Sequence, residues 1–187
     1  FLPLFDGAAP LYEQLQGDID TLVGMEPAHP RAPEALFWKA RLYEMNDLPY
    51  AAQDLYRQLL RVYPDAPQMD EILAHAASVS LSVRDAREAA AYCQRLLQRY
   101  PSSQYAQRAR LLLGDAYHMA GMEDDARTLY IRVAQAEPNT RVGAEAYLRL
   151  GRMAFNQRLY ADAIHQFETR LRTTTTSPSA PQSVEIP

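Results

Sequence analysis

The chain has 187 residues, 48% of them hydrophobic, which suits one folded domain or one short repeat array. Its net charge is −4, and its 19 Lys and Arg residues are scattered with no basic run. That excludes nucleic acid as the main partner, because phosphate binding needs a concentrated basic surface. A single cysteine, Cys93, excludes an intramolecular disulfide, and no apolar stretch approaches the ~18 residues of a membrane span.

The chain opens on Phe1 and not on Met, as expected of a processed product. Within segment 1–26, Leu11, Leu15, Ile19 and Leu22 form an apolar stripe, expected to be the second helix of an incomplete leading repeat. From there Pro27, Pro64, Pro101 and Pro138 recur every 37 residues. Small residues keep the same register: Ala40, Ala77, Gly114 and Gly151, then Ala52, Ala89, Ala126 and Ala163. Tyr56, Cys93, Tyr130 and Phe167 follow in step. Four repeats result, 27–63, 64–100, 101–137 and 138–171, each read as a helix, a turn and a second helix.

In the first repeat Asn46-Asp47-Leu48-Pro49 makes the turn, with Asp47 expected to cap the following helix and Pro49 in its first turn. In the second, Ser82-Val83-Arg84-Asp85 stands at that place. The third is read as a helix from about Tyr105 to Met119, with Ser102 and Ser103 as N-cap candidates. Ala120-Gly121 turns the chain, and a second helix from about Glu123 to Ala136 ends before Pro138. Nine helices are expected in all. Small residues on both helices let backbones approach, and the later aromatic is expected to fill the gap toward the next hairpin. Residues 172–187, with Thr173 to Thr176 and three prolines, read as a linker or tail.

The pattern of Gly114, Tyr117, Gly121, Ala126, Tyr130 and Pro138 resembles the tetratricopeptide consensus. The 37-residue spacing and the phrase Tyr100-Pro101-Ser102-Ser103 are similar to bacterial envelope members of that family. Two such members are the Tol–Pal-associated periplasmic coordinator and the lipoprotein of the outer-membrane β-barrel assembly machine. The fold expected is therefore all-α: an α-solenoid of stacked antiparallel hairpins in a right-handed superhelix. The resemblance implies a periplasmic or outer-membrane-associated adaptor, with a cytoplasmic adaptor as the alternative. A third reading is a small-ligand carrier or transporter accessory subunit, with a pocket near Phe37, Leu111 and Phe155.

No phosphate loop, nucleophile elbow, Cys-x-x-Cys or His-Glu-x-x-His occurs, so no enzyme and no cofactor are expected. Cys93 stands where its counterparts are aromatic and reads as a buried structural thiol. Glu71 and His75, four apart, lack a third metal ligand. Asp124-Asp125 suits a helix N-terminus by dipole and capping. Protein partners are expected on the inner face of the first helices, ten, fourteen and seventeen residues after each proline. Those positions hold Phe37, Arg41 and Glu44; Ala74, Ser78 and Leu81; Leu111, Asp115 and His118; and Leu148, Arg152 and Phe155. Apolar residues among opposed charges suit a peptide segment.

Overall fold

The computed structural model describes residues 29–175 together with Gly17 and Thr21, with backbone alone for 172–175. Among the described residues the chain is all helix and turn. The helices are α1 (Ala32–Met45), α2 (Pro49–Val62), α3 (Met69–Ser82), α4 (Ala86–Arg99), α5 (Ala106–Met119), α6 (Glu123–Ala136), α7 (Arg141–Asn156) and α8 (Tyr160–Thr175). First helices start at 32, 69 and 106 and second helices at 49, 86, 123 and 160, keeping the 37-residue step. Helix α7 starts two residues ahead of that step because Thr140 caps it, its hydroxyl accepting from the Gly143 N–H at 3.2 Å. The expected ninth, leading helix lies largely outside the described residues. Of its stretch only Gly17 and Thr21 are described; both are helical, and the Thr21 hydroxyl donates to the Gly17 carbonyl.

The chain divides into two compact units, Phe1–Leu96 and Leu97–Pro187. In the first, α1 packs on α2 and α2 on α3; in the second, α5 packs on α6, α6 on α7 and α7 on α8. Each pair joined by a short turn forms a hairpin, and within each unit the following first helix, α3 or α7, packs on the second helix before it.

The turns repeat one backbone device. Asp47, Arg84, Gly121 and Arg158, 37 residues apart, all adopt positive φ, between 56° and 79°. One residue later the backbone N–H returns to the helix it has left: Leu48 to Tyr43, Asp85 to Ser80, Met122 to Tyr117 and Leu159 to Ala154, at 2.8–3.0 Å. This left-handed C-terminal motif satisfies carbonyls that would otherwise be orphaned. Asp47 is thus the end of α1 and not the cap of α2, whose N-cap is Leu48 without a side-chain bond. Ser103 likewise bonds the Tyr105 N–H in the turn ahead of α5, whose N-cap is Tyr105. Asp124 and Asp125 lie in the first turn of α6, favourable to its dipole, but Met122 is the N-cap and no side chain caps it.

The small residues are where the helices touch. Ala40, Ala52, Ala77, Ala89, Ala109 and Ala126 are fully buried. A Cβ at Gly114 would stand 2.5 Å from the Tyr130 ring, and one at Gly151 2.4 Å from the Phe167 ring. Each aromatic therefore covers the glycine of its own hairpin, a closer fit than the expected gap-filling toward the next. Tyr130 also joins Leu111, Val133, Ala146, Leu150 and Met153 in the core that links α5, α6 and α7. Helix α8 runs to Thr175, four residues past the expected boundary at Leu171. Extending a formed helix gains a hydrogen bond per residue, and threonine costs little. The remainder of the expected tail, 176–187, lies outside the described residues.

Candidate protein-binding faces

Each unit carries a polar cluster at the C-terminal half of its first helices, built on a buried tyrosine. In the first unit the Tyr56 hydroxyl, from α2, donates to Glu44 on α1. Arg41, one helical turn back, donates to the same carboxylate, and its Nη1 lies 2.8 Å from His75 Nδ1 on α3. His75 Nδ1 is also 3.3 Å from Glu44. In the second unit the Tyr130 hydroxyl, from α6, donates to Asp115 on α5 at 2.8 Å. Arg149, from α7, grips Asp115 through two nitrogens at 2.5 and 2.8 Å, and a third nitrogen lies 3.7 Å from Glu145. Tyr56 and Tyr130 hold one repeat position; His75 and Arg149 hold another, eleven residues after Pro64 and Pro138. A tyrosine of one hairpin, a carboxylate of its first helix and a cation or imidazole of the next hairpin thus recur as a linked set.

The electrostatics follow from this geometry. Burial alone would push the Glu44 carboxyl up, but hydrogen bonds from His75 and Tyr56 and the nearby positive charge hold it below its ordinary value. Burial and the adjacent carboxylates Glu44 and Asp115 push the Tyr56 and Tyr130 phenols far up, so both stay protonated donors. Burial opposes the Arg149 charge, yet its bonds to Asp115 keep it raised. A further cluster in the first unit centres on Glu88 of α4, which accepts from Gln53 at 2.6 Å, Arg57 at 2.7 Å, and Ser80 and Tyr92 at 3.0 Å. It ties α2, α3 and α4 together. Burial would raise the Glu88 carboxyl, and these four donors bring it down.

The expected partner-binding residues separate by height along their helices. Positions ten, fourteen and seventeen share one narrow arc, but the first lies mid-helix between neighbours and the others lie toward the turn. Phe37 is 3% exposed and packs its ring against Trp38, Tyr56 and His75; Leu111 is 1% exposed in the core of the second unit. Both belong to the interior and offer no contact surface, as does Ala74. Leu148 is half-buried. Arg41, Glu44 and Asp115 are half-buried and engaged in the clusters, so their charges are largely satisfied within the chain. Ser78 is half-buried, and with Glu44, Asp47, Pro49, Val79 and Ser82 it lines an open depression of about 200 Å³. Leu81 lies half-buried beside it on α3. His118 is exposed, with Nδ1 2.9 Å from Glu123, and Arg152 is exposed. Phe155 is 58% exposed and meets the Tyr160 ring edge-on at 5.7 Å.

Sequence reading took Tyr56 and Tyr130 for packing and weighed His75 as a metal ligand. The structure adds their polar role, and places the Arg41 guanidinium 2.8 Å from His75 Nδ1. Among the described residues no group of three metal-ligating side chains occurs. Cys93 is fully buried. No helix of the described residues is long and apolar enough to cross a membrane.

Solved structures share the fold at low identity. A MamA structure from Desulfovibrio magneticus RS-1 is 15% identical, with a TM-score of 0.70, covering 91% of this chain and 97% of that one. PilW, a widely conserved type IV pilus biogenesis factor, is 21% identical with a TM-score of 0.69, over 89% and 72%. YrrB, a tetratricopeptide protein with an unusual peptide-binding site, is 15% identical with a TM-score of 0.69, over 91% and 82%. Comparison with curated protein sequences gives no match. The model of the tetratricopeptide repeat-like domain matches residues 41–176, and with hairpins in 37-residue step beneath that match, the chain belongs to the tetratricopeptide-repeat family.

Proposed function

We propose that this chain is a protein-binding scaffold of a bacterial cell-envelope complex, holding a partner segment on the turn-proximal ends of its first helices. The repeat fold is generally a non-enzymatic interaction scaffold, and protein partners are what it implies. The observation that carries the reading is the contrast along the first helices. Their middles are closed by core residues such as Phe37 and Leu111, while their ends leave Ser78, Leu81, His118, Arg152 and Phe155 accessible among charges already held in place. Rigidly held polar groups beside accessible apolar ones suit recognition of a peptide, since little side-chain order is lost on binding. The envelope setting is supported by the resemblance of the repeat phrase and by the pilus-biogenesis role named for PilW.

Two experiments test this. Fractionation of cells carrying the full-length gene product should place it in the periplasm or at the outer membrane; a cytosolic product would overturn the envelope setting. The chain carrying Leu81→Ala with Arg152→Ala should lose co-purification of its envelope partner while keeping its helical content. Gln58→Ala with Gln98→Ala, on second helices, should bind as the parent does. The reverse pattern would move the binding face to the second helices.

A further inference from the structure

We propose that the turn joining α7 and α8 seats an acidic segment of a partner protein that carries a bulky apolar side chain. This seat rests on the scaffold reading above and adds the chemistry of one segment that the scaffold holds. The turn exchanges a polar pair for an aromatic one. One repeat earlier His118 and Glu123 hold the two positions and meet across the α5–α6 turn at 2.9 Å. Here Phe155 and Tyr160 hold them, their rings edge-on at 5.7 Å. The exposure belongs to the turn and not to the end of the array. The side chains of His118 and Glu123 are 46% and 42% exposed although α7 and α8 follow them. Leu48, Met122 and Leu159, at one repeat position, are 47%, 44% and 46% exposed. Phe155 and Tyr160, 58% and 52% exposed, are thus an apolar platform at a place that stays open when a hairpin follows.

The charges around this platform are of one sign. Arg152 stands one helical turn before Phe155 on α7, and Arg158 lies at the centre of the turn at positive φ. Both are exposed, with no carboxylate partner among the described residues. A third guanidinium, from Arg127 of α6, donates to the neutral amide of Gln157 at 2.6 Å. Asp162, two residues beyond Tyr160, lies about 200° around α8 from it. Guanidiniums match carboxylates as planar donors, and an exposed aromatic pair gains by covering an apolar side chain. An anionic lipid surface fits less well. Glu123, Asp124 and Asp125 open α6 at the neighbouring turn, on the same edge of the hairpins, and would meet it with like charge. A narrow segment laid on one turn avoids them.

The test uses the full chain and a labelled synthetic peptide of glutamates around a central phenylalanine. Fluorescence anisotropy should show saturable binding that weakens as salt rises. Phe155→Ser and Arg158→Glu should each weaken it roughly tenfold or more, and lysines in place of the peptide's glutamates should abolish it. Arg132→Glu, the same charge change at an exposed site on α6, should leave it nearly unchanged. Circular dichroism of each variant should match the parent, since all three residues are exposed. No saturable binding, or an equal loss with Arg132→Glu, would overturn the proposal. So would sedimentation with phosphatidylglycerol vesicles in place of peptide binding, which gives the turn to a lipid surface. A chain that ignores the acidic peptide yet loses its envelope partner through Leu81→Ala with Arg152→Ala keeps the scaffold reading and removes this seat. Peptide binding in a cytosolic product does the reverse.

Discussion

Arg149 shows how one side chain decides the cost of a polar cluster. Its guanidinium grips Asp115 through two nitrogens while the Tyr130 hydroxyl donates to the same carboxylate. Removing the cation strands a half-buried carboxylate, whereas removing the hydroxyl leaves that carboxylate paired. Arg149→Met should therefore destabilise by about 2–4 kcal/mol, and Tyr130→Phe by about 1 kcal/mol. Urea midpoints of the two variants check the order; a larger loss for Tyr130→Phe would show that the phenol, and not the ion pair, holds the carboxylate. Little of this was legible in the sequence. The tyrosines repeat and belong to the core, but the carboxylates they meet do not share a repeat position. Glu44 and Asp115 stand three residues apart in the repeat frame, and Arg149 reaches Asp115 across 34 residues. Such pairings are set by how hairpins stack, and no local pattern announces them. The interior position of Phe37 and Leu111 was hidden for a related reason: periodicity gives the side of a helix but not how far along it the neighbours extend.

At the scale of the element, the turn between paired helices is a local demand repeated four times, which is why the 37-residue period was readable. The left-handed position at its centre is filled by glycine only once, at Gly121; Asp47, Arg84 and Arg158 adopt positive φ with a side chain present. That conformation costs a side-chain-bearing residue about 1–2 kcal/mol, partly offset because glycine loses more entropy on folding. Arg84 is exposed, and Arg84→Gly should raise stability by about 0.5–1 kcal/mol, measured as a higher urea midpoint with an unchanged helical spectrum. A lowered midpoint would mean that the arginine side chain contributes to the fold. The helix-to-helix contacts were equally legible, because close approach requires small residues at fixed spacing. Ala126 is fully buried in the core that also holds Tyr130 and Ala146. Ala126→Leu should cost about 1–3 kcal/mol by overpacking, and an unchanged melting temperature would contradict that contact.

At the scale of the whole molecule, the clusters set the pH range over which the chain is stable. Glu44 and Glu88 lie below their ordinary value of 4.5 in the folded chain. Between the folded and ordinary values the unfolded chain holds more protons, so falling pH favours unfolding. Their contribution is complete above about pH 4.5 and is lost as the pH drops through the folded values. The tyrosines act at the other end with the opposite sign. Tyr56, Tyr92 and Tyr130 are raised above their ordinary value of 10.0, so the folded chain retains protons that the unfolded chain releases. Their contribution is complete below about pH 10 and is lost as the pH climbs beyond it. A plot of urea midpoint against pH should therefore be flat through neutrality and fall on both sides. Glu44→Gln should lower the plateau and flatten the acid limb, because the residue that discharges there is gone. Tyr56→Phe should flatten the alkaline limb and leave the acid limb nearly as steep, since Glu44 keeps Arg41 and His75 beside it. An acid limb equally steep in the parent and in Glu44→Gln would show that other carboxylates carry the acid sensitivity.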